Sequence, residues 1–211
     1  MTSSDRPTAE HGRSVKKLTD PKALRALAHP IRLQLLGQLR IHGQLTATQA
    51  SELIGESSAS CSFHLRQLAK YGLVEESGSG KGRERPWRAT TMFTSLPEVP
   101  GDPNVDAATD LLRNVIVDHY IEDLTRWFDA RPNEPLDWQR ADQFGDTFLY
   151  VTADELTQLG QRVRELVDVY IVRQTDPALR PSGARLVSYL HIAHPVIDRA
   201  PHAHRGDGEG S

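Results

Sequence analysis

Residues 57–90 constrain the fold more than any other stretch of the sequence, because a helical pattern is followed at once by two short strand patterns. Three apolar side chains recur at positions i, i+4 and i+7: Cys61, Leu65 and Leu68. Ser57 and Ser58 are residue types that cap helix N-termini, and Gly72 suits the left-handed position after a helix end. The pattern therefore predicts one amphipathic helix that ends at Tyr71.

Two strands joined by a glycine-rich turn follow this helix. The first strand begins at Leu73, residues 77–82 form the turn, and residues 85–90 form the returning strand. Trp87 is the side chain that we expect to pack against the core. Pro86 lacks a backbone N–H, so we expect this strand to lie at the edge of its sheet.

Three shorter helical patterns precede this unit, beginning at Asp20, Pro30 and Thr46. The third ends at Gly55, so a tight turn joins it to the helix that follows. The order of three helices, a turn, a fourth helix and a two-stranded hairpin is that of a winged helix-turn-helix, which we place at residues 19–94. The predicted fold class is mainly α with small β.

Charge divides the chain into two unlike halves. Residues 13–91 hold 13 Lys and Arg against 6 Asp and Glu, a net charge of +7, whereas residues 92–211 hold 11 against 20, a net charge of −9. A basic segment joined to an acidic one is typical of a nucleic-acid-binding domain attached to a part that does not bind nucleic acid.

The segments 26–32, 45–50, 60–74 and 82–85 together resemble the ArsR-type family of winged-helix repressors. The most specific element lies in residues 60–74: a Ser, three residues, His-Leu-Arg, then Leu and finally Gly-Leu-Val. The resemblance covers about a third of the chain. It implies a DNA-binding transcriptional regulator that represses as a homodimer on a palindromic double-stranded operator.

Ten polar or basic side chains are the candidate DNA contacts: Ser57, Ser58, Ser60, Ser62, His64, Arg66, Gln67, Lys81, Arg83 and Arg85. Arg66 is suited to guanine, and the basic residues of the wing are suited to phosphates. Three alternatives stay open: Ser57 acts only as a helix cap, His64 packs partly buried, and the basic side chains of the wing are merely solvated.

The chain has a single cysteine, Cys61, so no intrachain disulfide can form and a reducing, cytoplasmic setting is expected. Because Cys61 lies on the apolar side of its helix, we expect a core thiol rather than a redox sensor.

Metal sensing is common in the family that the chain resembles. One of its sites needs thiolates in the third helix, and residues 46–55 contain neither Cys nor His. The second site is matched only by Asp106, His119 and Glu122, because Ala108 stands where the resemblance implies a first His. We therefore expect no metal and no cofactor, and keep these three residues as weak candidates.

The rest of the chain contains a linker at 95–104 and a dimerisation or effector-sensing region at 105–197, between disordered tails at 1–18 and 198–211. A long helix is predicted from Val105 to Ala130, and another after the capping box that begins at Thr152. Short strands are predicted at 148–151 and 186–192. The region could bind a small-molecule effector, form the dimer interface, or do both.

The sequence excludes several other classes of protein. No stretch approaches the roughly 18 apolar residues of a membrane span. No phosphate-binding loop, catalytic triad pattern or metal quartet is present, so we expect no enzyme. The alternatives that remain are a winged-helix protein-interaction module and a metal-responsive sensor.

Overall fold

Helices make up most of the part of the chain that the structure describes, as the sequence predicts, and two small sheets accompany them. The computed structural model describes residues 8–10, 13–78, 85–97 and 101–197. The first half contains β1 (Thr8–Glu10), β2 (Arg13–Lys17), α1 (Pro21–Leu27), α2 (Pro30–His42), β3 (Gln44–Leu45), α3 (Ala47–Ile54), α4 (Ser58–Lys70), β4 (Val74–Glu76), β5 (Trp87–Ala89) and β6 (Phe93–Ser95). The second half contains α5 (Pro103–Ala130), a 3-10 turn (Arg131–Asn133), α6 (Leu136–Ala141), α7 (Ala153–Thr175) and a 3-10 turn (Pro177–Leu179).

Local capping interactions place the helix boundaries. The Asp20 carboxylate accepts a hydrogen bond from the backbone N–H of Lys22 at 2.9 Å, at the start of α1. Thr46 and Gln49 form a reciprocal capping box at the start of α3. Thr152 and Glu155 form the predicted capping box at the start of α7. Each cap satisfies backbone N–H groups that the first turn of a helix leaves without partners.

The core lies between the four helices of the first half and the wing sheet. Its members are almost fully buried apolar side chains from α1 to α5: Leu24, Leu27, Leu35, Leu36, Leu39, Leu45, Ala50, Cys61, Leu65, Leu68, Leu73, Val74, Trp87, Ala108 and Leu112. Trp87 is buried as predicted. Ala108 and Leu112 belong to α5, so the first turns of that helix complete the core of the first half. The core therefore extends across the predicted linker at 95–104.

The wing sheet has the strand order β3-β5-β4, with both pairs antiparallel. The prediction that the returning strand is an edge strand is wrong, because β3 pairs with the side of β5 opposite to β4. Leu45 faces Trp87 in that pairing. Pro86 is compatible with a central strand because it precedes the first paired residue, and its carbonyl accepts a hydrogen bond from Ser77 at 2.8 Å.

The prediction of a disordered N-terminal tail is wrong for the residues that the structure describes there. β2 pairs with β1 antiparallel and with β6 in parallel. The Lys16 ammonium also donates hydrogen bonds to the carbonyls of Tyr71 and Gly72, at 3.1 and 2.7 Å. These contacts attach the segment before α1 to the end of α4, which a reading of local composition does not reveal.

The two strands predicted at 148–151 and 186–192 do not form, and neither segment has regular secondary structure. A strand needs a neighbour for its backbone groups, and neither segment has one in the structure. Tyr150 and Leu186 are exposed instead. In the described part of the chain, no helix is long and apolar enough to cross a membrane.

Candidate nucleic-acid interface

Helices α3 and α4 form a helix-turn-helix whose turn is fixed by local residues. Gly55 ends α3 with a left-handed backbone, φ +73°, which a residue without a Cβ adopts easily. Ser57 then begins α4, because its hydroxyl accepts a hydrogen bond from the backbone N–H of Ser60 at 3.1 Å. The two helices are thereby held in contact with each other and with α2, and the N-terminus of α4 is directed away from the core.

The apolar face of α4 anchors the helix, and its opposite face is open to solvent. Cys61, Leu65 and Leu68 have essentially no exposure. The opposite face carries Phe63, Arg66 and Lys70, with Ser62 and Ala59 beside them. These side chains share one face because they lie three or four residues apart along the helix. The helix contains no Asp or Glu, so this face presents positive charge and no negative charge of its own.

Arg66 is held in place by a neighbour on the same helix. Its Nη1 donates a hydrogen bond to the Ser62 hydroxyl at 2.9 Å, one turn earlier. The guanidinium stays exposed, and its remaining donors can form a bidentate pair with a guanine edge. The structure thus brings together Arg66 and Ser62, two of the sequence-predicted contacts.

The other predicted serines have structural partners. Ser57 caps the N-terminus of α4, which agrees with the interpretation of this residue as a helix cap. The Ser58 hydroxyl lies 3.3 Å from the Thr48 hydroxyl of α3 and links the two helices. Ser60 is half-buried. Among the four predicted serines, Ser62 therefore lies nearest to the open face of α4.

His64 is buried, which corrects its place among the DNA contacts. Its side chain is 9% exposed, and its ring centroid lies 4.6 Å from that of His29, in the loop before α2. Burial, followed by the neighbouring His29 and then Arg32, lowers the pKa of His64, while Glu56 acts in the opposite direction. The ring packs against His29 and has little exposure to solvent, as the alternative interpretation from the sequence proposed.

Gln67 lies at the side of α4, beside the open face. It is half-buried and borders a cleft with Arg25 and Arg32. The predicted contact through Gln67 is therefore directed toward the flank of the helix rather than toward its outermost surface.

The wing supplies one predicted contact within the described residues. Arg85 is 70% exposed, and its Nη1 lies 2.9 Å from the Glu76 carboxylate across the hairpin. Arg88 pairs with Glu75 in the same way at 2.7 Å. Exposed pairs of this kind contribute little stability and leave the Arg side chain able to exchange its partner for a phosphate. Lys81 and Arg83 lie outside the described residues.

Cys61 is a core thiol. It has no exposure to solvent, and burial raises the pKa of its thiol, with Glu56 adding to the shift. A buried thiol with a raised pKa forms little of the thiolate that reacts with oxidants and metals.

Among the three weak metal candidates, Asp106 lies far from His119 and Glu122, which are one helical turn apart on α5. Asp106 accepts hydrogen bonds from the backbone N–H of Gly101 at 3.4 and 3.2 Å. His119 lies 13 residues further along α5, a rise of roughly 20 Å, and its Nε2 contacts Asp123 at 3.6 Å. Glu122 is exposed. Among the residues that the structure describes, no group of three or more His, Cys, Asp or Glu could hold a metal ion.

Phe63 and Lys70 belong to the open face of α4 and were missed at the level of sequence. Phe63 is 50% exposed although it is aromatic. The same helical periodicity that assigns Cys61 and Leu65 to the core assigns Phe63 to the opposite side, so the signal was available. An exposed aromatic ring on such a helix can contact the methyl group of thymine.

A known family model matches the chain in the region of α2 to α4. Residues 27–77 match the family model described as "Helix-turn-helix domain". That match supports a DNA-binding transcriptional regulator. Comparison with curated proteins gives no match.

Two solved structures are among those similar to the chain. Reduced HlyU from Vibrio cholerae N16961 is 23% identical, with 44% of this chain and 84% of that chain covered and a TM-score of 0.29. A mutant of MarR from E. coli is 13% identical, with 71% of this chain and 88% of that chain covered and a TM-score of 0.30.

Proposed function

We propose that the chain is a sequence-specific transcriptional regulator of the ArsR type that binds double-stranded DNA through α4. The observation that carries this proposal is the open face of α4, which presents Phe63, Arg66 and Lys70 and has no carboxylate. An α-helix with side chains is about 10–12 Å wide and the major groove is about 12 Å wide. The helix therefore fits the groove with this face toward the base edges.

The wing supplies the second part of the proposed contact. A hairpin beside the recognition helix lies over the sugar-phosphate backbone next to the occupied groove. Arg85, together with Lys81 and Arg83, would contact phosphates there, which positions the protein without reading sequence. The proposed base contacts are then restricted to α4.

We propose further that the regulator is a homodimer. The second half of α5 and most of α7 expose large apolar side chains, among them Ile121, Leu124, Phe128, Leu166 and Tyr170. Large apolar side chains exposed on the faces of helices are typical of an interface. Two copies related by a two-fold axis would place two α4 helices about 34–36 Å apart, one helical turn of DNA. The operator is then palindromic.

Repression is the proposed direction of regulation. The dimer would occupy an operator that overlaps a promoter, and a signal, such as a small molecule bound by residues 105–197, would lower its affinity. The ArsR-type resemblance supports this direction. Deletion of the gene should raise transcription of the target, and transcription that falls on deletion would indicate an activator.

A mobility-shift assay on DNA from upstream of the gene tests the proposed function. Binding should weaken as salt rises, with a linear dependence of log K on log salt, because phosphate contacts release counterions. No binding, or binding that ignores salt, would favour a winged-helix module that contacts another protein. A scrambled fragment of equal length and composition is the matched control for sequence specificity.

A further inference from the structure

An open cleft of about 290 Å³ lies between α1, the start of α2 and the side of α4. Six residues line it: Lys22, Arg25, Ala26, Arg32, Gln67 and Tyr71. Three of the six are cations, and no carboxylate lines the cleft. This concentration of positive charge has no role in the core or in the α4 face described above.

Two of the three cations of the cleft, Arg25 and Arg32, are held by backbone carbonyls rather than by acidic side chains. The Arg32 Nε donates to the carbonyl of Ala26, and its Nη2 donates to that of Arg25 at 3.4 Å. The Arg25 Nη2 donates to the carbonyl of Asn104 at 3.4 Å. Within the described ranges, none of the three cations has a salt bridge. The positive charge is therefore positioned but not neutralised, which is the condition for attracting an anion.

The chemistry of the cleft favours a phosphate group. Guanidinium groups form paired hydrogen bonds with phosphate oxygens, an ammonium group adds a point charge, and the Gln67 amide can add two neutral donors. Arg32 is half-buried, and this burial lowers the pKa of its guanidinium. An anion beside a partly desolvated cation interacts more strongly than the same pair in bulk water.

The position of the cleft points to the DNA backbone as the source of the phosphate. Gln67 follows Arg66 on α4, so the cleft begins about 100° around the helix from the guanidinium of Arg66. A helix that fills the major groove has the phosphates of both strands along its two sides. The cleft lies along one of these sides, next to the proposed base contacts.

We infer that the cleft formed by Lys22, Arg25, Arg32 and Gln67 binds a backbone phosphate beside the groove that α4 occupies. This inference rests on the proposed function. A free phosphate-bearing molecule shares the same chemistry, and the experiment separates the two sources.

The experiment compares the full-length protein with the double variant Lys22→Ala/Arg25→Ala, both side chains being exposed. Arg32 is retained because it is half-buried and its two hydrogen bonds link α2 to carbonyls at the end of α1. The matched control is Arg162→Ala, which removes an exposed cation from α7. Fluorescence anisotropy measures DNA affinity from 0.05 to 0.3 M salt, concentrations chosen about the physiological value. Circular dichroism confirms that each variant is folded.

The double variant should lose about tenfold in affinity near 0.1 M salt, and its salt slope should fall by about one contact. The Arg162 control should match the wild type in both quantities. A double variant with the wild-type affinity and slope would overturn the inference that DNA supplies the phosphate.

A second measurement tests the cleft without DNA. Inorganic phosphate is titrated against the arginine Nε–H resonances, with chloride at equal ionic strength as the control. Saturable shifts in the wild type that the double variant lacks support a phosphate site. If the double variant lacks these phosphate-induced shifts but keeps the wild-type salt slope for DNA, the site binds a free phosphate-bearing ligand.

The two proposals fail separately. If the wild type binds no DNA, the proposed function fails, and the phosphate titration alone decides whether the cleft binds an anion. If the wild type binds DNA and neither measurement distinguishes the double variant, the cleft inference fails and the proposed function stands.

Discussion

Replacing Ser57 separates the role of a helix cap from that of a DNA contact. The Ser57 hydroxyl accepts one hydrogen bond at the start of α4, from the N–H of Ser60 at 3.1 Å. Alanine removes that acceptor, and loss of a cap typically costs about 1 kcal/mol of the free energy of unfolding. For a chain of this length, the loss corresponds to a fall of about 2–4 °C in Tm. Asparagine keeps an acceptor and should restore both quantities.

Aspartate at the same position should behave differently in the two assays. A carboxylate caps the helix and interacts favourably with its N-terminal dipole, so Ser57→Asp should be at least as stable as the wild type. The added negative charge would face DNA phosphates, so its affinity for DNA should fall. Urea unfolding followed by circular dichroism and anisotropy with labelled DNA measure the two effects. Wild-type stability in Ser57→Ala, or failure of Ser57→Asn to restore it, would refute the capping argument.

Four further predictions concern the interface, the buried histidines and the dimer. Arg66→Ala should weaken binding to the operator by about 1–3 kcal/mol without changing the free energy of unfolding; an equal loss on operator and scrambled DNA would make Arg66 a phosphate contact. Arg85→Ala should lower the salt slope by about one contact on all DNA sequences, and an unchanged slope would exclude it. Burial lowers the pKa of His29 and of His64. The contribution of these histidines to the free energy of unfolding should therefore be fully present above about pH 6.5 and fall as the pH drops toward the lowered folded-state pKa values, because the unfolded chain binds protons first. A urea midpoint that is higher at pH 5.5 than at pH 7.5 would contradict this prediction. Ile121→Asp should shift the protein from dimer to monomer in sedimentation velocity, and an unchanged sedimentation coefficient would remove α5 from the proposed interface.

Features that depend on neighbouring residues could be predicted from the sequence. The cap at Ser57, the turn at Gly55 and the capping box at Thr152 each involve residues within one helical turn. The helices that they begin or end lie where the sequence pattern placed them. The periodicity of α4 assigned Cys61 and Leu65 to the core, and the structure buries both.

Features that need a distant partner could not be predicted in this way. The central position of β5 depends on β3, a two-residue strand that precedes α3 and has no pattern of its own. β2 depends on β6, almost eighty positions later in the chain. Conversely, residues 148–151 and 186–192 have strand-like composition but no partner, so they do not form a ladder. Strand composition describes a suitable surface and does not supply the neighbour.

The candidate site also combines features that follow from one helix with features that depend on contacts between helices. The open face of α4 follows from one helix, and Phe63 could have been assigned to it from periodicity alone. The burial of His64 depends on His29, from a different element, and the basic cleft combines α1, α2 and α4. Such contacts arise only when the helices pack.

Methylation interference on the upstream DNA tests most directly whether α4 contacts base pairs in the major groove. Dimethyl sulfate methylates guanine N7 in that groove, so guanines contacted by the protein should be depleted from the bound fraction. Such guanines should lie in two half-sites one helical turn apart. Arg66→Ala should abolish interference at one guanine of each half-site. Equal guanine methylation in the bound and free fractions would contradict a contact between α4 and the bases of the major groove.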